Sequence, residues 1–269
     1  PPSVMKKQLL FLLFIFYFLL SKAQSAFDSS DYKMLRTIYD EALTNGKSYD
    51  NLKYLCKNIG HRLSGSENAE KAVKYTKKLM EDYGFDNVYL QEVTVPHWVR
   101  GEKESAKITG SKSVGEKPIR ICALGGSVCT PAEGLTAEII EVKNFEELKA
   151  IGKEKVNGKI VFFNRPMDPK ALTSFEAYGG AVDQRGMGAI ESAKLGASGV
   201  LVRSMNLRLD EFPHTGAMRY NDSIPKIPAA AVSTNDAELL SKLLKEEKSC
   251  KVFFKMNCKT LEDVKSYNV

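Results

Sequence analysis

Histidine is scarce in this sequence: there are three, His61, His97 and His214, in 269 residues. None is followed two positions later by Asp or Glu, and no His-Glu-x-x-His pattern occurs. A catalytic zinc needs three or more protein ligands converging on one point, so no local zinc motif is present. A Gly-x-Ser-x-Gly elbow is missing too, and no base stands beside any cysteine. Neither a serine nor a cysteine nucleophile therefore has support. Gly125-Gly126 is too sparse to cradle a phosphate and opens no helix. A basic stripe is also lacking, because lysines alternate with acids, as where Lys143 and Lys149 bracket Glu146-Glu147. Such a surface is solvated and excludes nucleic acid as a partner. Internal repeats and low-complexity segments are absent.

Cysteine is present in an odd number, five, so at least one thiol is unpaired. Cys250 and Cys258 flank Val252, Phe254 and Met256, which alternate like a strand. The ends of such a strand lie roughly 26 Å apart, beyond disulfide reach. Cys122 and Cys129, separated by Gly125-Gly126, can meet across a turn; five buried free thiols are the alternative.

What is there begins at the N-terminus. Met5 precedes Lys6-Lys7, an apolar run from Leu9 to Leu20, and Ser21-Lys22-Ala23. A basic stretch, a short apolar stretch and small residues before a cut describe a secretory signal peptide over residues 5–23. As a helix the run covers roughly 18 Å, against ~30 Å for a bilayer core. Cleavage after Ala23 removes three lysines and no acid, lowering the formal charge from +6 to +3. The expectation is a secreted, extracytoplasmic protein with no membrane attachment after cleavage.

Residues 29–95 read as three helices and one strand. Tyr32, Leu35, Ile38, Tyr39 and Leu43 fall at helical spacing behind Asp31. A second helix is expected from Ser48 as N-cap to Gly60, and a third from the N-cap Ser66 to Gly84, with Phe85 folding back on its last turn. Val88 and Leu90, then Val93 and Val95, read as a strand with a change of phase between the pairs. Three helices and one strand cannot close a sheet, so this region needs a partner. From His97 the texture changes to short strands at 119–124, 135–142, 159–164, 199–203, 229–232 and 251–256. Helices are expected between them at 145–152, 184–195 and 236–246. This pattern predicts a mixed, β-rich α/β domain of about 160 residues.

Two polar clusters stand in loops, where exposed His and Arg can contact a substrate. His61-Arg62-Leu63-Ser64-Gly65-Ser66 joins two helices, and Pro213-His214-Thr215-Gly216 sits between strands. Hydrogen bonding within the loop, by residues that suit turns, is the plainer role for each.

Six stretches in the same order resemble the carboxypeptidase Q (plasma glutamate carboxypeptidase) family of zinc exopeptidases. They are Ile59 to Ser66, Val95 to Glu102, Thr130 to Glu138, Gly158 to Val161, Pro213 to Gly216 and Pro225 to Pro228. The stretch from Gly188-Ala189 through Val200 is also similar to protease-associated domains. The resemblance implies an α/β zinc-exopeptidase domain interrupted by a protease-associated insert. Residues 29–95 would be the first, incomplete segment of the catalytic domain, 96–259 the insert and 260–269 the start of the return. It also implies two zinc ions that activate a bridging water, with a Glu as general base, to hydrolyse a terminal peptide bond. The His-x-Asp that opens the family's ligand set has no counterpart here. No metal ligand or catalytic residue can be carried over, and the chain alone is expected to bind no cofactor and to be inactive. Arg62, His97 and His214 remain as candidates for the wall of a substrate pocket. Peptides or dipeptides are the implied substrates of the complete enzyme, and a homodimer is compatible with the family. The rival reading is a stand-alone protease-associated module that binds peptides or mediates assembly.

Overall fold

The computed structural model describes residues 29–269, apart from residue 248, so the expected signal peptide lies outside the described residues. Two compact units result, one ending at Asn58 and the other running from Ile59 to Val269. The first holds α1 (Ser29–Asn45) and α2 (Ser48–Tyr54), followed by a π-turn over Leu55–Ile59. None of its described helical residues is buried, and Ile38 and Leu43 are 56% and 83% exposed. The expected N-cap at Ser48 is corrected: Lys47 occupies that position, makes no side-chain cap, and Ser48 is already helical.

The second unit opens with α3 (Glu67–Asp82), and here the local signals act as read. The Ser66 hydroxyl accepts from the Ala69 amide, satisfying one of the free N–H groups of the first turn. At the other end the Phe85 amide donates to the Met80 carbonyl and Gly84 to Glu81, the closure that a left-handed residue permits. Gly84 supplies it, with φ of 75°. The following strand, β1, is Gln91–Val99, not a strand beginning at Val88. Its register shift falls between Val95 and His97, where Pro96 has no N–H to donate, and not between Leu90 and Val93.

An eight-stranded mixed sheet follows: β2 (Ser105–Ser111), β3 (Gly115–Ile119), β4 (Ile121–Ala123), β5 (Leu135–Val142), β6 (Ile160–Phe163), β7 (Gly199–Arg203), β8 (Ala229–Val232) and β9 (Lys251–Lys255). The strand order is β3-β2-β9-β5-β6-β7-β8-β4, with β5 to β8 parallel. Only Arg120 separates the end of β3 from the start of β4, so the two edge strands meet there and the sheet is nearly closed. β10 (Lys259–Asn268) leaves this sheet and pairs antiparallel with β1 as a separate two-stranded ribbon.

β6 and β8 are apolar throughout, and β7 up to Arg203, because both their faces are covered. Ile160 and Phe162 point to one side, where α8 (Thr234–Glu247) supplies Leu240 and Leu243. Val161 and Phe163 point to the other side. There α4 (Phe145–Ile151), α5 (Lys153–Val156) and α7 (Asp183–Lys194) bring Leu148, Val156 and Ala189. The short α6 (Ser174–Gly179) lies between β6 and α7. β9 has one covered face, and there Val252 and Phe254 are buried while Lys251 is exposed.

All five thiols are free. Cys122 and Cys129 are not bridged, and the thiols are not uniformly buried: Cys250 and Cys258 are, whereas Cys56 and Cys129 are exposed. Burial pushes the Cys250 and Cys258 thiols up to about 11, which removes them as thiolates near neutrality.

Glu247 ends α8 by gripping the β2–β3 turn. Its carboxylate accepts from the Ser113 and Ser111 hydroxyls and from the amides of Lys112 and Ser113, at 2.9 and 3.0 Å. These bonds, the Ser113 hydroxyl foremost, hold its pKa down at about 2. A depressed folded-state pKa contributes stability above the ordinary carboxylate value of ~4.3. That stability is lost as the pH falls from there toward about 2. Glu247→Gln should therefore lower the melting temperature at pH 7, with the gap from the parent closing below pH 4. A gap independent of pH would show that the turn is held by other means.

Candidate functional site

The first polar cluster lies at one end of the β1–β10 ribbon. Gly65 adopts φ of 75°, and a Cβ there would sit 2.9 Å from Val264 and 3.1 Å from the His97 ring. Glycine is what lets the loop press onto the ribbon, and so His97 on β1 and the loop carrying Arg62 become neighbours. Arg62 is exposed and its guanidinium donates to the Gly60 carbonyl; His97 is half-buried. Beside them, a pocket of about 350 Å³ is lined by Gly65, Ser66, Glu67, Glu70, Val264 and Tyr267, among others.

His214 is placed elsewhere. Its backbone amide donates to the Ser204 hydroxyl at 2.7 Å, and Nδ1 lies 2.9 Å from the Met205 carbonyl. Its ring stands 6.1 Å from that of Tyr178, over which Arg185 lies at 5.4 Å. Thr215 next to it donates to the Ala123 carbonyl at 2.7 Å. The loop that carries His214 is thus fastened to Ser204 and Met205, just after β7, and to Ala123, the last residue of β4. Two of the three sequence candidates share a surface, and the third belongs to a different one.

The stretch Val95 to Glu102 has a further task that spacing did not reveal. The Trp98 indole donates to the Ser127 carbonyl at 2.9 Å, and Arg100 lies over the Trp98 ring at 5.1 Å. Arg100 also bonds the Glu104 carboxylate at 3.0 Å and the Ala123 carbonyl at 2.7 Å, while Glu104 accepts from the Ala123 amide. Arg100 and Trp98 clamp the end of β1 to the eight-stranded sheet. A cation stacked on an aromatic ring two residues away is the signal that could have found it.

Among the described residues no group of three or more His, Cys, Asp or Glu side chains could hold a metal ion. The described side chains by themselves therefore do not fit a zinc ion. No described helix is long and apolar enough to cross a membrane.

No family model matches the chain. Among curated proteins it is 39% identical to carboxypeptidase Q of Xenopus laevis over 89% of this chain and 49% of that protein. It is 38% identical to carboxypeptidase Q of Homo sapiens over 86% of this chain and 46% of that protein. The chain therefore spans about half the length of the curated relatives it matches. Among solved structures, a peptidase M28 precursor from Shewanella amazonensis superposes with a TM-score of 0.81 at 33% identity. The match covers 88% of this chain and 52% of that one. A zinc aminopeptidase from Bacillus subtilis shares the fold more loosely, with a TM-score of 0.52 at 20% identity over 81% of this chain and 44% of that one.

Proposed function

Starting from its homology to carboxypeptidase Q over about half of that protein's length, we propose that this chain is the scaffold part of an exported zinc-dependent exopeptidase of the carboxypeptidase type. The observation that carries the reading is an alignment at 39% identity that runs through 89% of the chain, well beyond any single motif. Residues 29–95 and 260–269 then belong to the catalytic domain, and 96–259 form an insert of the protease-associated kind. The pairing of β1 with β10 supports that division, because the two strands flank a sheet built wholly from residues between them. Arg62 and His97 on the ribbon side, and separately His214 on the sheet side, are offered as residues that contact a peptide. The metal ligands and the general base are expected on residues other than those described, and no catalytic step is assigned to this chain's own side chains.

A second reading is favoured by one observation. The eight-stranded sheet has both its cores filled from its own helices, so it suits a self-sufficient binding module. One comparison separates the two. Zinc content after dialysis and chelator-sensitive hydrolysis of a dipeptide should be measured for the 269-residue chain. The same assays should be run on a longer product that includes the counterpart of the relatives' other half. The scaffold reading expects activity and bound zinc in the longer product alone. Stoichiometric zinc with turnover in the shorter chain, or an inert longer product, would overturn it.

A further inference from the structure

Two of the free thiols lie where the β1–β10 ribbon leaves the eight-stranded sheet. Cys129 stands in the connection from β4 to β5, and Cys258 in the short link from β9 to β10. These two stretches run against each other. The Thr130 amide donates to the Met256 carbonyl at 3.2 Å, and the Met256 amide donates to the Thr130 hydroxyl oxygen at 3.1 Å. The Cys258 thiol donates to the Ser127 carbonyl at 3.1 Å. Contacts therefore bracket Cys129 at Ser127 and at Thr130, and both come from the three residues that end in Cys258. A pocket of about 490 Å³ at the same place is lined by Cys129 and Thr130 together with Asn257 and Lys259, the chain neighbours of Cys258.

The direction of these contacts is antiparallel, since Thr130 meets Met256 and Ser127 meets Cys258. Cys129 and Cys258 are then one position out of register. In paired extended segments such a step leaves about 6 Å between Cα atoms, inside the roughly 4.4–6.8 Å that a disulfide spans. Cys129 is exposed, whereas Cys258 is 1% exposed. Burial first, and then the charge of the nearby Cys129, keep the Cys258 thiol protonated near neutrality. The remaining thiols of this unit have different company: Arg100, Glu104 and Thr215 surround the Cys122 sulfur, and Glu247 is near Cys250.

We propose that Cys129 and Cys258 are a site of disulfide formation that fastens the exit of the ribbon to the β4–β5 connection. The oxidant is a low-molecular-weight disulfide. The exposed Cys129, as thiolate, attacks one of its sulfurs; that S–S bond breaks, and the small thiolate released takes a proton from water. Cys258 then loses its proton to solvent and attacks the Cys129 sulfur of the mixed disulfide, expelling the second small thiolate. The chain gives up two electrons and two protons, and the small disulfide becomes two thiols. Closure exchanges the Cys258 bond to Ser127 for the new S–S bond. Trp98 on β1 already donates to the same Ser127 carbonyl, so the bridge ties both strands of the ribbon to one connection. The site rests on neither reading of the chain, as peptidase scaffold or as binding module.

The test uses the whole 269-residue chain with Cys56→Ser, which removes the other exposed thiol. Reduced protein is incubated with glutathione disulfide under native conditions, alkylated and digested without reductant. Mass spectrometry should find one linked pair of peptides, carrying Cys129 and Cys258, with Cys122 and Cys250 recovered as free thiols. The melting temperature should rise by about 5 °C or more on oxidation. Cys129→Ser alters an exposed side chain, so it should melt like the reduced parent in either redox state and give no linked pair. Cys258→Ala should leave glutathione bound on Cys129. Glutathione persisting on Cys129 of the parent, an unmodified Cys129, or a linked pair that includes Cys122 or Cys250 would overturn the proposal. A melting shift that survives in Cys129→Ser would do so too.

Discussion

Hydrogen exchange of the 269-residue chain is expected to divide it into a fast part and a slow part, differing at least about a thousand-fold in protection. The slow amides should be those of Ile160–Phe163 and Gly199–Arg203. These strands are hydrogen-bonded on both sides and buried on both faces, so their exposure requires the whole sheet to open. The fast amides should be those of α1 and α2, whose residues are nowhere buried. Isolated helices of this length are marginal in water, because nucleation is costly and only tertiary burial offsets it. α3 should fall between, since Ala72, Val73 and Leu79 are half-buried. Equal protection in α1 and β6 would mean that the apolar face of α1 is covered in solution, and would remove the reason for assigning 29–95 to a domain completed by other residues.

Phe254→Ala should cost about 3–5 kcal/mol, the range for truncating a fully enclosed Phe. The ring has no exposure, and the backbone of Phe254 pairs with Ala106 on β2 and Leu135 on β5 at once. Its edge abuts Gly199, where an added Cβ would come within 3.0 Å of the ring, so the surrounding structure has little freedom to collapse into the void. Urea titration should show a lower midpoint with an unchanged slope. Phe175→Ala is the control: that ring is 89% exposed, and its removal should stay within about 0.5 kcal/mol. A loss below about 1 kcal/mol at Phe254 would show that β9 is not bound into the sheet as described.

Legibility of the fold followed the source of the signal. β5 was readable to the residue, from Leu135 to Val142, because its β-branched and apolar residues are bounded by Gly134 and Lys143-Asn144. β6, β7 and β8 were readable because continuous burial leaves continuous apolar runs such as Ile-Val-Phe-Phe. β2 was missed: only Ala106, Ile108 and Ser111 of its seven residues are buried, and its composition is that of a loop. β10 was missed for a similar reason. Lys259 to Asn268 is almost wholly exposed, and the backbone of β1 makes it a strand, not any apolar pattern of its own. Of the candidate site residues, loop chemistry identified Arg62 and His214, and His97 came from a stretch resembling the family. Neither signal could tell that Gly65 presses the loop of Arg62 against the His97 ring and that Ser204 and Met205 hold His214.

The sequence by itself determined the local elements whose causes are local: the Ser66 cap, the Gly84 stop, the buried parallel strands and the resemblance to zinc exopeptidases. It also set the poverty of histidine that leaves no metal motif. The tertiary structure alone decided which distant groups share a space. The near closure of the sheet at Arg120, the Trp98–Arg100 clamp on β4, the free thiols and the bonding of Arg203 to Asn164 and Glu238 are of that kind. The physical reason is range. Caps and apolar periodicity act within a few residues of chain, whereas a pocket depends on strands 39 residues apart in sequence, Asn164 to Arg203, lying side by side. No spacing rule along the chain encodes that proximity.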